Sequence, residues 1–275
     1  MLIYRNILLF YQKIKTVLFL LVCLTAFQVS MVSCEKVVSL NLNDAVPRVV
    51  IQGNIYDQPG PFYVKISKSV NFDESNNYPP VTGASVEITD NMNQTEILTE
   101  SAAGTYNTSK LRGIPGRNYS LTVKTGSDIY QSVAFMPTAV AIDSIYFASS
   151  PFSGEKTTTV RFNDPPYTRN FYRLVYFINN VQLMNFYVLD DELFQGASIK
   201  YALSPRESEL KLAKGDLVTV WLESIDKGVF EYFRTVGHEN GQSTSPSNPV
   251  SNISNGALGY FNASSVRKIS LIVDK

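Results

Sequence analysis

Few side chains in this sequence could do covalent or metal chemistry. Its 275 residues include two cysteines, Cys23 and Cys34, and a single histidine, His238. A Ser-His-Asp or Cys-His site needs an imidazole, and no catalytic partner for His238 is suggested by spacing, so a solvated or capping histidine is the simpler interpretation. A zinc site needs several His or Cys ligands. The sequence therefore predicts no metal, no cofactor and no enzymatic activity.

Carboxylates are the remaining groups for acid–base or calcium chemistry. The densest run is Asp190-Asp191-Glu192, but neighbouring side chains on a strand point to opposite faces and make a poor acid and base pair. Neither this run nor Asp73-Glu74 has the spacing and closing glycine of a calcium loop. A glycan hydrolase that uses scattered carboxylates is kept as an alternative.

Cys34 is the residue to which the sequence assigns the most definite chemistry. It follows a basic start and the apolar run from Val17 to Phe27, which is the layout of a secretory signal. The run is shorter than the roughly 20 apolar residues of a membrane-spanning helix, although an uncleaved anchor helix is the alternative. Cleavage would also remove Cys23, the other thiol, so that Cys34 would have no disulfide partner within the chain.

The segment Met31-Val32-Ser33-Cys34 resembles a bacterial lipoprotein signal, in which small residues precede a cysteine that is freed by cleavage and lipidated. By this resemblance, residues 1–33 are a signal peptide and Cys34 is the lipid attachment site. Residues 34–47 are predicted to be a tether, because the segment is short and polar and has no sustained periodicity. Two or more acyl chains anchor a protein stably, whereas one chain binds only marginally.

The remainder has the composition of an exported globular protein. Loss of residues 1–33 takes away three basic and no acidic side chains, which leaves 21 basic against 24 acidic side chains and a formal charge of −3. Nucleic-acid binding needs a concentrated basic face, so no nucleic-acid partner is expected. The sixteen Tyr and sixteen Phe of the full sequence favour β-structure.

Alternation of apolar and polar residues predicts a β-sandwich over residues 48–137. Val49, Ile51 and Ile55 fall on one face of a strand, with Gln52 and Asn54 on the other. Turn signals at short intervals continue the pattern. The strings ASVEITD and YSLTV, with a Gly-x-Tyr step between them, resemble transthyretin-like and carboxypeptidase-regulatory-like modules.

The sequence predicts a second β-rich domain over residues 138–275, so that the fold class is mainly β with two sandwich-like domains. Phe171 to Ile178 is apolar on both faces, as in a central strand. Asp226 can cap a helix, and apolar residues at helical spacing predict that helix at about residues 226–237, with Gly237 as its stop. The last strand is expected at Lys268 to Val273.

Two segments are candidates for modification or binding. Asp143-Ser144-Ile145 resembles a short O-glycosylation motif of exported Bacteroidota proteins, and an unmodified Ser144 is the equal alternative. Asn255, Tyr260 and Phe261 are candidate ligand or partner contacts, because aromatic rings and amides bind sugars or peptides. The alternative is a structural loop that packs on the second sandwich.

Five strings distributed over the chain are VVIQGNI, FYVKISKS, LDDELFQG, KGDLVTVWLESID and SNISNGALGYFNAS. Their order and spacing resemble the DUF4249 family of Bacteroidota outer-membrane lipoproteins. The resemblance implies a lipid anchor in the outer membrane, exposure at the cell surface, and a non-enzymatic accessory role beside a TonB-dependent nutrient transporter. A free-standing adhesin, or a glycan- or protein-binding lipoprotein, is the alternative function.

Overall fold

The structure is a computed structural model that describes residues 15, 16, 18, 46–71, 77–149, 156–203, 212–239 and 249–274, with the backbone alone for 237–239. The chain divides into two compact units, Met1–Ala45 and Val46–Lys275. The three described residues of the first unit are helical. Apart from these three residues, the predicted signal peptide lies outside the described residues, as do Cys34 and all but the last two residues of the tether. In the described ranges, no helix has the length and apolar character needed to cross a bilayer.

The described part of the second unit is mainly β, which confirms the predicted fold class. In chain order, β1 to β8 are Val49–Tyr56, Tyr63–Lys68, Ser85–Asp90, Thr95–Ile97, Thr99–Ala102, Thr105–Asn107, Asn118–Thr125 and Asp128–Phe135. Strands β9 to β16 are Ile142–Ser149, Lys156–Asn163, Phe171–Ile178, Val181–Gln182, Tyr187–Asp190, Ser198–Leu203, Leu217–Ile225 and Leu258–Ile272. Helix α1, Lys227–Glu239, lies between β15 and β16.

A nine-stranded sheet forms the centre of this unit. Its order is β12-β11-β15-β16-β1-β2-β6-β5, with β13 paired to β11. A four-stranded sheet, β4-β3-β7-β8, and a three-stranded sheet, β14-β10-β9, complete the fold. Strands β1 and β2 form an antiparallel hairpin across residues 57–61.

Both smaller sheets pack on the same face of the nine-stranded sheet. Ile51 and Phe261 of that sheet share one core with Val86 and Leu121 of the four-stranded sheet. A second core joins β11 and β15 to the three-stranded sheet, through side chains such as Leu174, Val220, Val160 and Leu203. Alternate residues of a strand face opposite sides of its sheet. The second face of the large sheet is therefore not covered by the two smaller sheets.

Strand β16 holds the large sheet together. It pairs in parallel with β1 on one side and antiparallel with β15 on the other. The prediction of a last strand at Lys268 to Val273 was too short, because small polar residues such as Asn262 and Ser264 interrupt the apolar signal where the strand begins. The regions 48–137 and 138–275 share this sheet, and the domain boundary between them stays a prediction.

The capping role predicted for Asp226 is confirmed. Its Oδ1 accepts a hydrogen bond from the Val229 amide at 2.9 Å, and its Oδ2 accepts one from the Phe135 amide of β8 at 3.0 Å. The carboxylate therefore starts α1 and also ties it to the four-stranded sheet. The predicted stop at Gly237 was wrong, since α1 continues to Glu239. Packing of its apolar stripe on the large sheet outweighs the roughly 1 kcal/mol penalty of one helical glycine.

Gly259 permits the parallel contact between β16 and β1. Its φ is +96°, and a Cβ placed there would lie 2.0 Å from the Ile51 carbonyl oxygen. Because Ile51 belongs to β1 and to the first core, that clash falls on backbone that cannot move without disturbing the core. Gly83 has a φ of +69° with open space around it, so it carries the conformational constraint without the close approach.

We expect Gly259→Ala to lower the free energy of unfolding by about 3 kcal/mol or more, since it combines a left-handed backbone with a backbone clash. Gly83→Ala is the matched control, and we expect it to cost only about 1 kcal/mol. Urea unfolding of both variants measures the difference. Equal losses would contradict the close approach described for Gly259.

Candidate functional site

The second face of the nine-stranded sheet is covered by α1 at one end. Phe230 of the helix packs on Phe171 of β11 at a centroid distance of 5.0 Å, and Phe233 packs on Tyr260 of β16 at 4.8 Å. Beyond the helix, the face presents exposed side chains that include Gln52, Lys65 and Lys268. We call this part of the sheet the open face.

A row of aromatic rings extends from the first core, through the buried Phe62, onto the open face. Tyr56 lies 5.8 Å from Phe62 and 6.4 Å from Trp221, and Trp221 lies 4.9 Å from Phe177. Tyr56 and Trp221 belong to strands on either side of β16. Tyr56 is paired with Ser264 of β16 and Trp221 with Lys268, so Val266 lies between the two pairs on the same face of β16.

Lys268 places a positive charge on this row. The register of β15 and β16 pairs Lys268 with Trp221, and its Nζ lies 3.7 Å from the centroid of the indole ring. Such a cation–π contact contributes about 0.5–1 kcal/mol at an exposed site. In the described ranges the ammonium makes no hydrogen bond and no ion pair, so its charge is available to an anion from outside.

A cleft of about 160 Å³ opens beside these residues. Its aromatic and apolar walls are Tyr56, Pro59, Pro61, Phe62, Tyr63, Trp221 and Val266, and its polar lining is Asn54, Gln58 and Lys268. An apolar cavity of about 150 Å³ accommodates benzene, whereas sites for drug-sized ligands begin at about 300 Å³. The cleft therefore has room for one six-membered ring or one side chain.

A buried ion pair lies next to the open face, where α1 covers the sheet. Arg173 and Glu223 are paired across β11 and β15, and their Nη1 and Oε2 atoms are 3.3 Å apart. The Arg173 Cζ lies 4.0 Å from the Phe233 ring centroid. Glu223 Oε1 and Asn262 Oδ1 are buried without a hydrogen-bond partner in the described structure.

Burial sets the protonation of these groups. It raises the pKa of Glu223, and the neighbouring Arg173 opposes that rise. Burial also raises the pKa of Tyr56 well above its ordinary value and raises the pKa of Tyr260. Both phenols therefore stay neutral at physiological pH and can donate as well as accept hydrogen bonds.

The sequence region that contains the cleft matches a known protein family. A family model described as a domain of unknown function, DUF4249, matches residues 35–270. The chain belongs to the DUF4249 family. The match spans every residue that lines the cleft, and a search of curated proteins finds no match for this DUF4249 chain.

The three binding residues predicted from the sequence of this DUF4249 chain differ in their surroundings and in their exposure to solvent. Phe261 is fully buried and packs against Gly53, where a Cβ would lie 3.0 Å from its ring. Tyr260 is half-buried under α1, and its hydroxyl accepts a hydrogen bond from Asn54 at 3.4 Å. Asn255 occupies the turn with a φ of +56°. Tyr260 thus borders the open face, whereas the Phe261 ring is not presented to solvent.

The loop before β16 is anchored to the rest of the fold. The Ser254 amide donates to the Gln131 carbonyl at 2.8 Å, and the Gln131 amide donates to Ser254 Oγ at 2.8 Å. Gln131 belongs to β8, so this loop packs on the first predicted sandwich, and the Val250 amide also donates to Thr235 Oγ1 of α1 at 3.1 Å. The anchoring closes the edge of the four-stranded sheet, which would otherwise expose unpaired backbone groups.

The acidic run is engaged in local contacts. Arg169 Nη2 lies 3.1 Å from Asp190 Oδ2 and 3.1 Å from Glu192 Oε2. Asp191 turns inward and accepts a hydrogen bond from the Asn170 amide at 2.8 Å. Among the described residues, no group of three or more His, Cys, Asp or Glu side chains is placed to hold a metal ion.

The other two candidates are placed as follows. Ser144 is half-buried in β9, opposite Arg161 of β10, and its glycosylation stays a prediction. The neighbouring Asp143 is exposed and accepts a hydrogen bond from Asn163 at 2.8 Å. His238 lies in α1, but its side chain is outside the described residues, as is the Asp73-Glu74 segment.

Sequence reasoning missed Tyr56, Trp221 and Lys268 as neighbours. The alternation that placed Gln52 and Asn54 opposite the core face of β1 was a correct signal for the open face. Trp221 similarly alternates with buried Val220 and Leu222. What was missing is the pairing of β1 with β16, since only that register brings the polar faces of distant strands together.

We expect Arg173→Met to lower the free energy of unfolding by about 3–5 kcal/mol at pH 7, because it leaves Glu223 charged, buried and unpaired. The matched control is Arg234→Met, which breaks the exposed pair with Glu231 and should cost less than about 1 kcal/mol. Guanidinium unfolding at several pH values measures both losses.

The pH dependence of this loss follows from the raised pKa of Glu223. A folded-state pKa above the unfolded value means that folding favours the protonated carboxyl. The loss in Arg173→Met should therefore shrink as the pH falls toward the ordinary pKa of glutamate, and it should be relieved at pH 7 by adding Glu223→Leu. A loss that is independent of pH would contradict this interpretation.

Proposed function

We propose that this protein is a lipid-anchored, non-enzymatic binding protein of the outer membrane that assists a TonB-dependent transporter in taking up a nutrient. The observation that carries the binding role is the open face, where aromatic rings, amides and a lysine without an ionic partner in the described structure surround a cleft. Such a combination of apolar walls with a few polar groups is typical of ligand sites.

The support for a lipid anchor and for a transporter partner comes from the sequence. The lipoprotein-like segment before Cys34 supports attachment of the chain to a membrane, and a short tether would leave the β-unit free to face a partner. The resemblance to outer-membrane lipoproteins found beside transporters supports the accessory role. Belonging to DUF4249 agrees with that resemblance but names no ligand.

We expect Cys34→Ala to release the protein from the membrane fraction, because the residue that would carry the acyl chains is lost. Cys23→Ala is the matched control and should leave the membrane attachment unchanged, since residue 23 lies in the predicted signal peptide. Fractionation with detection of incorporated radiolabelled palmitate measures both. Lipid labelling that persists in Cys34→Ala would overturn the anchor.

We expect gentle detergent extraction and affinity purification of the chain to recover a TonB-dependent transporter, identified by mass spectrometry. The control is a second outer-membrane lipoprotein of similar abundance, carried through the same extraction. Recovery of the chain without a transporter, under conditions that preserve known transporter complexes, would count against the accessory role.

A free-standing adhesin is the second candidate, and an apolar row on β8 favours it. Ile129, Val133 and Phe135 alternate along this strand and are 49%, 61% and 43% exposed. An exposed apolar row of this kind marks interaction surfaces. Val133→Lys should then reduce attachment of cells to surfaces without changing growth on any nutrient. Impaired growth with normal attachment would favour the transporter role instead.

A further inference from the structure

We infer that the open face binds an acidic glycan, with one sugar ring seated in the cleft and its carboxylate beside Lys268. The inference takes the binding role proposed above as its starting point and names the class of ligand. It depends on three properties of the face, which are the shape of the cleft, the sign of its charge and the way in which its backbone is paired.

The cleft fits a single ring. The Tyr63 side chain is 54% exposed at its edge, while Tyr56 and Phe62 form its deeper wall, with ring centroids 5.8 Å apart and ring planes at 77°. Each aromatic ring offers a large contact area at a low cost in side-chain entropy. The apolar C–H face of one pyranose ring is complementary to the face of one such ring.

Polar groups at the rim are already oriented. The Asn54 side chain is fixed by hydrogen bonds with Tyr260 at 3.4 Å and with Asn262 at 3.3 Å. Gln58 Nε2 donates a hydrogen bond to the Val266 carbonyl at 3.3 Å. The Gln58 side-chain oxygen takes no part in this bond and can accept one from a ligand. These amides supply donors and acceptors for sugar hydroxyls without a further loss of side-chain freedom.

The charge of the face selects an anion. Of the five strands β2, β1, β16, β15 and β11, the alternation of side chains brings Lys65 and Lys268 to the exposed part of this face. The single carboxylate that these strands contribute to the same face is Glu223, which is buried and paired with Arg173. Asp57, in the turn after β1, lies next to Gln58, and its charge is balanced by Arg267 at 2.8 Å. The surface around the cleft is therefore positive, although the chain as a whole has equal numbers of basic and acidic side chains.

The pairing of the backbone argues against an extended peptide as the ligand. A peptide that adds to a sheet uses unpaired backbone groups of an edge strand. The cleft lies over β1, β16 and β15, and each of these strands has a hydrogen-bonded neighbour on both sides. The pairing of β1 with β2 ends at Gly53, and beyond it the Tyr56 carbonyl accepts a hydrogen bond from the Gly113 amide at 3.0 Å. A ligand here is therefore recognised mainly by side chains, which suits rings and carboxylates.

Tetrasaccharides of galacturonate, glucuronate and mannuronate are suitable probes, because the face fixes the charge and the ring but not the stereochemistry. Trp221 is the only tryptophan of the chain and lines the cleft, so its emission reports occupancy directly. Titration of the purified full chain in detergent, with calorimetry as a second readout, measures binding. The methyl ester of each probe keeps the ring and removes the charge.

We expect at least one of the three uronates to bind, with an affinity about tenfold or more above that of its methyl ester, since the ester cannot make a charge-assisted contact. Binding should weaken as salt is added. Lys268→Gln should remove most of the preference for the acid, and Tyr63→Leu should weaken acid and ester alike. Lys124→Gln on β7, an exposed lysine of another sheet, is the matched control and should bind as the unaltered chain does.

Absence of binding by all three uronates would overturn the inference, as would equal affinity for acid and ester. Binding of hexaglutamate without any uronate would likewise overturn it and assign the face to acidic peptides. Circular dichroism and thermal unfolding of each variant separate a lost contact from a lost fold. Glycan binding is measured here without a transporter, so its failure is distinguishable from failure of the affinity purification.

Discussion

The parallel pairing of β1 with β16 is the contact on which the rest of this structure depends. It joins the first strand of the unit to the last, across about 200 residues of chain. Because β16 also pairs with β15, a single strand contributes to both main cores. Gly259 allows the two backbones to approach at this junction, since a side chain there would meet the Ile51 carbonyl. Without the junction, the two halves would each have an unpaired central edge.

The open face follows from this arrangement. Two smaller sheets cover one side of the large sheet and provide most of the apolar burial, so the other side need not be apolar. Helix α1 covers the end that holds the Arg173–Glu223 pair, where loss of solvent raises the pKa of the carboxyl. The uncovered end keeps its charge in Lys65 and Lys268. One face of the sheet thus packs on the cores and stabilises the fold, whereas the other face can carry polar and charged residues that bind a ligand.

Local patterns in the sequence predicted individual elements well. The predicted central strand, Phe171 to Ile178, matches β11 at both ends, because long apolar runs bounded by turns leave little ambiguity. Asp226 marked the start of the helix, since capping is a local interaction.

The candidate site was less accessible to sequence reasoning. Tyr56, Trp221 and Lys268 are far apart in the chain and meet only through the order of β1, β16 and β15. Strand β16 begins with small and polar residues that resemble a loop, so neither its extent nor its parallel partner could be predicted. Phe261 was expected in a binding loop for the same reason, whereas its position in β16 directs it into the core. Register between distant strands is a tertiary property that alternation within one strand does not encode.

The proposed binding role requires an accessible, positively charged aromatic face, and Trp221 reports on that face directly. Quenching of its fluorescence by iodide and by caesium, at equal ionic strength and relative to a free tryptophan derivative, compares the access of an anion and a cation to the same ring. With Lys268 over the indole, we expect iodide to quench markedly better than caesium and the difference to disappear in Lys268→Gln. Equal quenching by both ions in the unaltered chain, or protection from both, would contradict it.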